Sequence, residues 1–373
     1  MSDIQRPAML SPAEVSDALR RTVLGQDEAI REVSVAVVKH LAGHSADNVL
    51  LIGNSGSGKT TLMQAVEQFL TSRKDFAGYS NVVRINANLL AEETGSRGQA
   101  VLERLYLNAR RTVGRETLPA ELLHRVARGI VFVDEVDKIR SHAGGESNPH
   151  GILAQESLLT LMENEDVEFR LPDSGARERV NTASILFVAG GAFEELYDAV
   201  LHRALLGKDA APLKPVTVVS QTGEMREELP FHLRNYLRYD DIFAYGMTPQ
   251  FISRFESVVV LNDLGEEELG KIFLEPERSI FRTSREYFAR FGVDLQIARG
   301  ALELIAWEAS RQKRLGARAL KDIWRKVVRD LEYEPERAGK QKDGKRVLTI
   351  DEEMVRGRTA SSDGNHPPKA KKQ

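Results

Sequence analysis

The sequence predicts an α/β fold, a doubly wound parallel sheet followed by a smaller, mainly helical C-terminal part. Three observations predict it. Short unbroken apolar runs, such as Val49-Leu50-Leu51-Ile52 and Ile130-Val131-Phe132-Val133, read as strands buried on both faces. Segments with apolar residues at helical spacing alternate with these runs. After Leu264 the alternation gives way to a mostly helical pattern.

Taken in order, Ser11-Pro12-Ala13-Glu14 opens the first helix. Ser11 suits the cap, Pro12 the first helical position, and Glu14 closes a capping box. Leu24-Gly25-Gln26 interrupts, and a second helix is expected over 27–41, with Ile30, Val33, Val37 and Leu41 on one face. A strand over 48–52 runs into a glycine-rich stretch, and a helix over 59–71 follows. Residues 82–85 read as a strand, and 99–111 and 120–128 as helices. A strand over 129–134 and a helix over 153–162 come next. A hairpin with arms 167–171 and 180–182 turns around Asp173-Ser174-Gly175. The strand 185–189 completes the alternation. Between 207 and 229 the periodicity fails, and a strand at 258–261 restores it. Helices are then expected over 266–290, 301–313 and 317–331, with strands at 293–297 and 347–350. The chain thus reads as a large part, 1–264, a small part, 265–351, and a polar tail, 352–373, expected to be disordered.

Composition narrows the functions. With 42% hydrophobic and 29% charged residues the chain is globular. It has no cysteine, which excludes disulfides, thiol catalysis and cysteine-ligated metals. A net charge of −3 announces no nucleic-acid coat. The N-terminus carries Asp3 and Pro7 without an apolar core, so no signal peptide is read. No apolar run approaches a membrane span. A cytoplasmic protein is expected.

Gly53-Asn54-Ser55-Gly56-Ser57-Gly58-Lys59-Thr60 fits G-x-x-x-x-G-K-[ST] between a strand and a helix. Glycines let backbone N–H groups converge on phosphate oxygens, and the helix adds its positive N-terminus. Lys59 is expected to reach the β- and γ-phosphates and Thr60 to ligate Mg2+, with Thr61 beside them. The strand ending Asp134-Glu135 brings two carboxylates to the same kind of sheet edge. Asp134 suits the Mg2+ shell, and Glu135 suits a general base acting on water. The pair points to ATP hydrolysis.

These residues sit in a longer pattern. Val23-Leu24-Gly25-Gln26 precedes the first strand. Later come Gly129-Ile-Val-Phe-Val-Asp-Glu-Val-Asp-Lys138, Ile185-Leu-Phe-Val-Ala-Gly-Gly-Ala-Phe193, Thr248-Pro-Gln-Phe-Ile-Ser-Arg254 and Leu315-Gly-Ala-Arg318. From about residue 11 to 334 the chain resembles the AAA+ ATPases of the Clp family, most of all its ClpX members. The resemblance implies a P-loop AAA+ fold with a C-terminal lid, and a homo-oligomeric ring, usually a hexamer, with ATP between subunits. It implies that Val23 and Leu24 flank the adenine. Arg254 falls at the arginine finger, and Arg318 at the nucleotide-sensing position of the lid. No polar sensor is assigned at the end of the strand Ala189-Gly190-Gly191.

The departures are equally specific. ClpX members carry a zinc module and an I-G-F loop that docks on a ClpP-type peptidase. Neither is expected here, because the chain lacks cysteine and has no I-G-F between Phe193 and Arg254. The family's aromatic pore loop aligns with Gly95-Ser96-Arg97-Gly98. The second inner loop falls at 173–179 and bears Arg177 and Arg179. Repeated around a ring axis, these arginines would attract an acidic protein segment, with single-stranded nucleic acid as the rival ligand. The expected function is an ATP-driven chaperone ring that remodels or unfolds a protein partner. The alternatives are a nucleic-acid motor or loader and a nucleotide-gated scaffold.

Overall fold

The computed structural model describes residues 10–359 apart from 46, 77, 92–97, 114–117, 164–165, 208–212, 214–215, 220–224, 229–230 and 343–344. The chain divides into two compact units. The first comprises Met1–Gly53, Gly58–Val200 and Leu233–Leu261; the second comprises Asn54–Ser57, Leu201–His232 and Asn262–Gln373. Among the described residues no helix is long and apolar enough to cross a membrane.

The first unit is built on five parallel strands. Their order across the sheet is Ser257–Val260, Val49–Ile52, Leu186–Gly191, Ile130–Asp134, Val82–Asn86. Val49 and Leu51 join one core with Val15, Ile30, Val33, Val37, Leu62 and Val66 from the helices Pro12–Arg20, Asp27–Leu41 and Lys59–Thr71. Alternation along the strand sends Leu50 and Ile52, which are as deeply buried, to the opposite face. Burial on both sides is why these strands read as unbroken apolar runs. The first helix starts on the expected box: Ser11 Oγ accepts the Glu14 N–H at 3.3 Å, and the Ser11 N–H donates to Glu14 Oε2 at 2.8 Å.

The helix Gln99–Val113 and the hairpin Asp166–Arg170 with Arg177–Asn181 also belong to this unit. Two short helices, Tyr239–Tyr245 and Pro249–Ile252, precede the edge strand Ser257–Val260.

In the second unit the helices Glu266–Leu274, Ile280–Ala289, Arg299–Ser310 and Ala317–Tyr333 surround a core that includes Phe273, Phe288, Ile305 and Val327. Trp324 meets Phe273 edge-on at 5.1 Å, and its indole N–H donates to Ser284 Oγ at 2.8 Å. A small sheet pairs Val293–Ile297 with Lys345–Ile350 in parallel.

Two expectations need correction, and one stretch without an expectation gains elements. The helix read over 266–290 is two helices, because Pro276 cannot continue the first and Ser279 caps the second through the Arg282 N–H at 3.2 Å. The tail read as disordered from 352 begins with a helix, Glu352–Thr359. Asp351 accepts the Met354 N–H at 2.9 Å, and Val355 is fully buried. Residues 360–373 lie outside the described residues. The stretch 207–229, which shows no period, contains an antiparallel hairpin of Val216–Val219 with Met225–Glu228.

Candidate nucleotide site

In the first unit, the strand Val49–Ile52 runs into Gly53, whose N–H donates to the Gly191 carbonyl at 3.2 Å. Gly58 takes φ +105°, a left-handed value that glycine adopts without strain, and caps the helix Lys59–Thr71. The first N–H groups of that helix have no intrahelical partner, which makes its start an anion seat. Lys59 is buried, and its ammonium donates to the Gly53 carbonyl. Thr60 Oγ1 donates to Asp134 Oδ2 at 3.4 Å. Thr61 follows on the same helix, partly buried. Val23 is buried and Leu24 partly so; the side chain of Gln26 lies 3.9 Å from where a Cβ on Gly58 would stand.

Asp134 closes its strand, and its Oδ1 accepts the N–H of Glu135 at 3.0 Å. Glu135 itself sits at φ +57°, an uncommon conformation for a residue with a Cβ. Its carboxylate accepts a hydrogen bond from Asn86 Nδ2 at 2.7 Å. Asn86 stands opposite Asp134 in the sheet register. Its own Oδ1 accepts the Asn88 N–H at 2.9 Å, which fixes the amide so that its NH2 group faces Glu135. No signal beyond its place at a strand end marks Asn86 in the sequence.

Asp137 is buried, and its carboxylate accepts the Ala192 N–H at 3.1 Å. A Cβ on Gly191 would stand 2.6 Å from Asp137 Oδ1. Gly191 therefore makes room for a carboxylate, and Gly190 for the side chains of Met63 and Lys59.

In the second unit, Asn54 Nδ2 donates to Asp263 Oδ1 at 2.9 Å. The Ala317 N–H donates to the Gly56 carbonyl at 3.1 Å. Arg318 Nη1 donates to Ser55 Oγ at 2.5 Å. Residues 54–57 are thus bonded to residues 263, 317 and 318 of the same unit. Gly56 has φ +71°, and a Cβ there would fall 2.2 Å from the Leu315 carbonyl oxygen. Ser57 is buried.

Arg254 follows the short helix Pro249–Ile252 in the first unit and pairs with Glu163 at 3.4 Å, both side chains well exposed. On the inner-loop hairpin, Arg177 Nη1 binds Glu168 at 3.1 Å, and Arg179 stands opposite that same glutamate. The hairpin face is therefore of mixed sign, less basic than its arginines suggest alone. Gln99 grips the hairpin: its Nε2 donates to the Arg170 carbonyl at 3.0 Å, and its Oε1 accepts the Arg170 N–H at 3.1 Å. Asp173, at the turn, pairs with Arg110 and accepts from Tyr106 Oη at 3.0 Å. Residues 95–97, with Arg97, lie outside the described residues.

A phosphate loop between a strand and a helix, an adjacent Asp-Glu strand end and a five-stranded parallel sheet define a P-loop nucleotide-binding protein of the AAA+ fold. The family described as "AAA domain (Cdc48 subfamily)" matches residues 44–258. The ClpX ATP-binding subunit of the ATP-dependent Clp protease of Treponema denticola is 28% identical over 369 residues. That alignment covers 93% of this chain and 82% of the relative. The ClpX subunit of Borrelia duttonii is 30% identical over 350 residues, covering 87% and 74%. The chain belongs to the ClpX-like AAA+ ATPases.

Proposed function

We propose that the chain hydrolyses ATP within a homo-oligomeric ring and uses the energy to remodel or unfold a protein partner. The observation that carries the reading is the meeting of Thr60 with Asp134 at 3.4 Å, beside a Glu135 held by Asn86. An alcohol and a carboxylate oxygen so placed fit Mg2+, a hard cation that takes few protein ligands and keeps its waters. When bound, Mg2+ would neutralise charge on the phosphate oxygens.

The chain's own residues do the rest in this reading. Gly53 to Thr61 cradle the phosphates, with Lys59 exchanging the Gly53 carbonyl for a phosphate oxygen. Val23 and Leu24 hold the base. Glu135 orients the attacking water and takes its proton, and Asn86 fixes the carboxylate until it does. Arg254 breaks its exposed pair with Glu163 to reach a neighbour's nucleotide. Arg318 senses nucleotide from the lid, residues 265–351, against an ATPase domain of 1–264. The relatives' names attach them to a protease, but no I-G-F lies between Phe193 and Arg254. We therefore read a ring that works without that peptidase.

Nucleotide fluorescence beside phosphate release tests the core of this. Lys59→Ala should lose binding. Glu135→Gln should bind ATP yet release phosphate at least about 10²-fold more slowly, the range of a general base. Wild-type turnover in Glu135→Gln would remove the base, and with it the reading of the strand end.

A further inference from the structure

The segment that carries Arg254 hangs between two buried side-chain amides. Gln155, on the helix Pro149–Met162, is 1% exposed and engages both ends of its amide. Its Nε2 donates to the Ile139 carbonyl at 2.7 Å and to the Gly246 carbonyl at 3.0 Å, and its Oε1 accepts the Thr248 N–H at 2.8 Å. Ile139 closes the short turn Val136–Lys138 that follows Glu135. Gly246 and Thr248 open the segment that leads to Arg254. Asn48 is 6% exposed and holds the other end. Its Nδ2 donates to the Arg254 carbonyl at 2.9 Å, and its Oδ1 accepts the Phe187 N–H at 3.0 Å. Asn48 directly precedes the strand that ends at Gly53.

Between these anchors the chain has little freedom. Pro249–Ile252 is one helical turn, Phe251 and Ile252 are buried, and the Arg254 N–H donates to the Phe251 carbonyl at 3.2 Å. At the first anchor the Gly246 carbonyl also accepts the Ser141 N–H at 2.8 Å. A Cβ on Gly246 would stand 3.1 Å from Arg140 Cβ, so the two loops are pressed together there. Buried amides engaged at both ends fix geometry because each bond lost leaves a polar group with no water to replace it.

We propose that Gln155 and Asn48 form a two-point clamp that ties residues 246–254 to the loop after Glu135 and to the strand before Gly53. Each subunit's own nucleotide loops then set where its Arg254 is presented to a neighbour. Gln155 and Asn48 act through Arg254 and are positioning residues, their amides spent on backbone groups. The clamp rests on the reading of Arg254 as a residue that acts across an interface.

Two variants break the same bond from opposite sides. Gln155→Met keeps the volume and removes the amide. Thr248→Pro removes the N–H, together with the threonine hydroxyl, at a residue whose φ of −70° and ψ of 142° suit proline. Each should keep ATP affinity within about two-fold and lose roughly 10- to 100-fold in phosphate release, the cost of a misplacement of about 1 Å. Each still offers an intact Glu135. Mixing either with Glu135→Gln subunits, whose Arg254 is correctly held, should restore turnover, and mixing with Arg254→Ala subunits should not. With the mixture of Arg254→Ala and Glu135→Gln recovering, turnover near wild type, rescue by both partners or by neither, or unfolding of both variants overturns the clamp. The pair Arg254→Ala with Glu135→Gln is the control. If that mixture fails to recover, the interface reading of Arg254 has failed, and not the clamp.

Discussion

His40 shows what burial does to a single side chain. It lies in the core of the first unit with its ring edge-on to Tyr79 at 6.1 Å, and desolvation lowers its pKa from 6.5 to about 4. As pH falls through 6.5 the unfolded chain takes up a proton that the folded chain refuses until about pH 4. The stability carried by the neutral ring is therefore complete above pH 6.5 and is lost on the way down to 4, by about 3 kcal/mol in all. Urea unfolding followed by circular dichroism at pH 7.5 and pH 5 should show about 2 kcal/mol of that loss in the wild type and less in His40→Leu. Equal losses would mean that other groups drive the acid dependence. Lys59, Thr60 and Asp134 were legible in the sequence because each sits inside a short contiguous motif. Asn86, Gln155 and Asn48 were not. Their partners lie 49, 93 and 206 residues away, and a lone amide carries no periodicity.

At the scale of elements, the helix Glu352–Thr359 has only Val355 and Thr359 buried in a charged run, too little to stand out as an amphipathic pattern. Tertiary bonds hold it: Arg358 donates to the Val327 carbonyl, and Thr359 Oγ1 to Glu308 at 2.9 Å. Truncation after 359, which keeps this helix, is the reference. Truncation after 351 should lower the second unit's stability by about 2–3 kcal/mol, from the lost burial of Val355 and those bonds. Fluorescence of the chain's two tryptophans, Trp324 in this core and Trp307 packed against it, reads both. Equal midpoints for the two truncations would show that the helix adds nothing. The short buried strands were readable as unbroken apolar runs, and the helices Asp27–Leu41 and Lys59–Thr71 because their periods run over enough residues. Tyr239–Tyr245 and Pro249–Ile252 span two turns or fewer, so no period could declare them.

For the whole molecule, the interface reading of Arg254 makes its own prediction. Arg254→Ala should keep nucleotide affinity and lose on the order of 10³-fold in turnover, as arginine fingers do. Mixed rings with Glu135→Gln should regain activity, because some interfaces then pair an intact Glu135 with an intact Arg254. Loss without rescue, in rings shown to form by light scattering, would confine Arg254 to its own subunit. The grip of Gln99 on Arg170, with Asp173 held by Tyr106 and Arg110, bears on what such a ring could do. The helix Gln99–Val113 begins directly after the segment expected to form the first inner loop, and the hairpin carries the segment expected to form the second. Joined at two places, the helix and the hairpin would turn as a single crank in the proposed ring, a displacement of either carrying the other. A substrate passing the axis would meet two contacts advancing in step, and slippage between them would require the helix and the hairpin to part first.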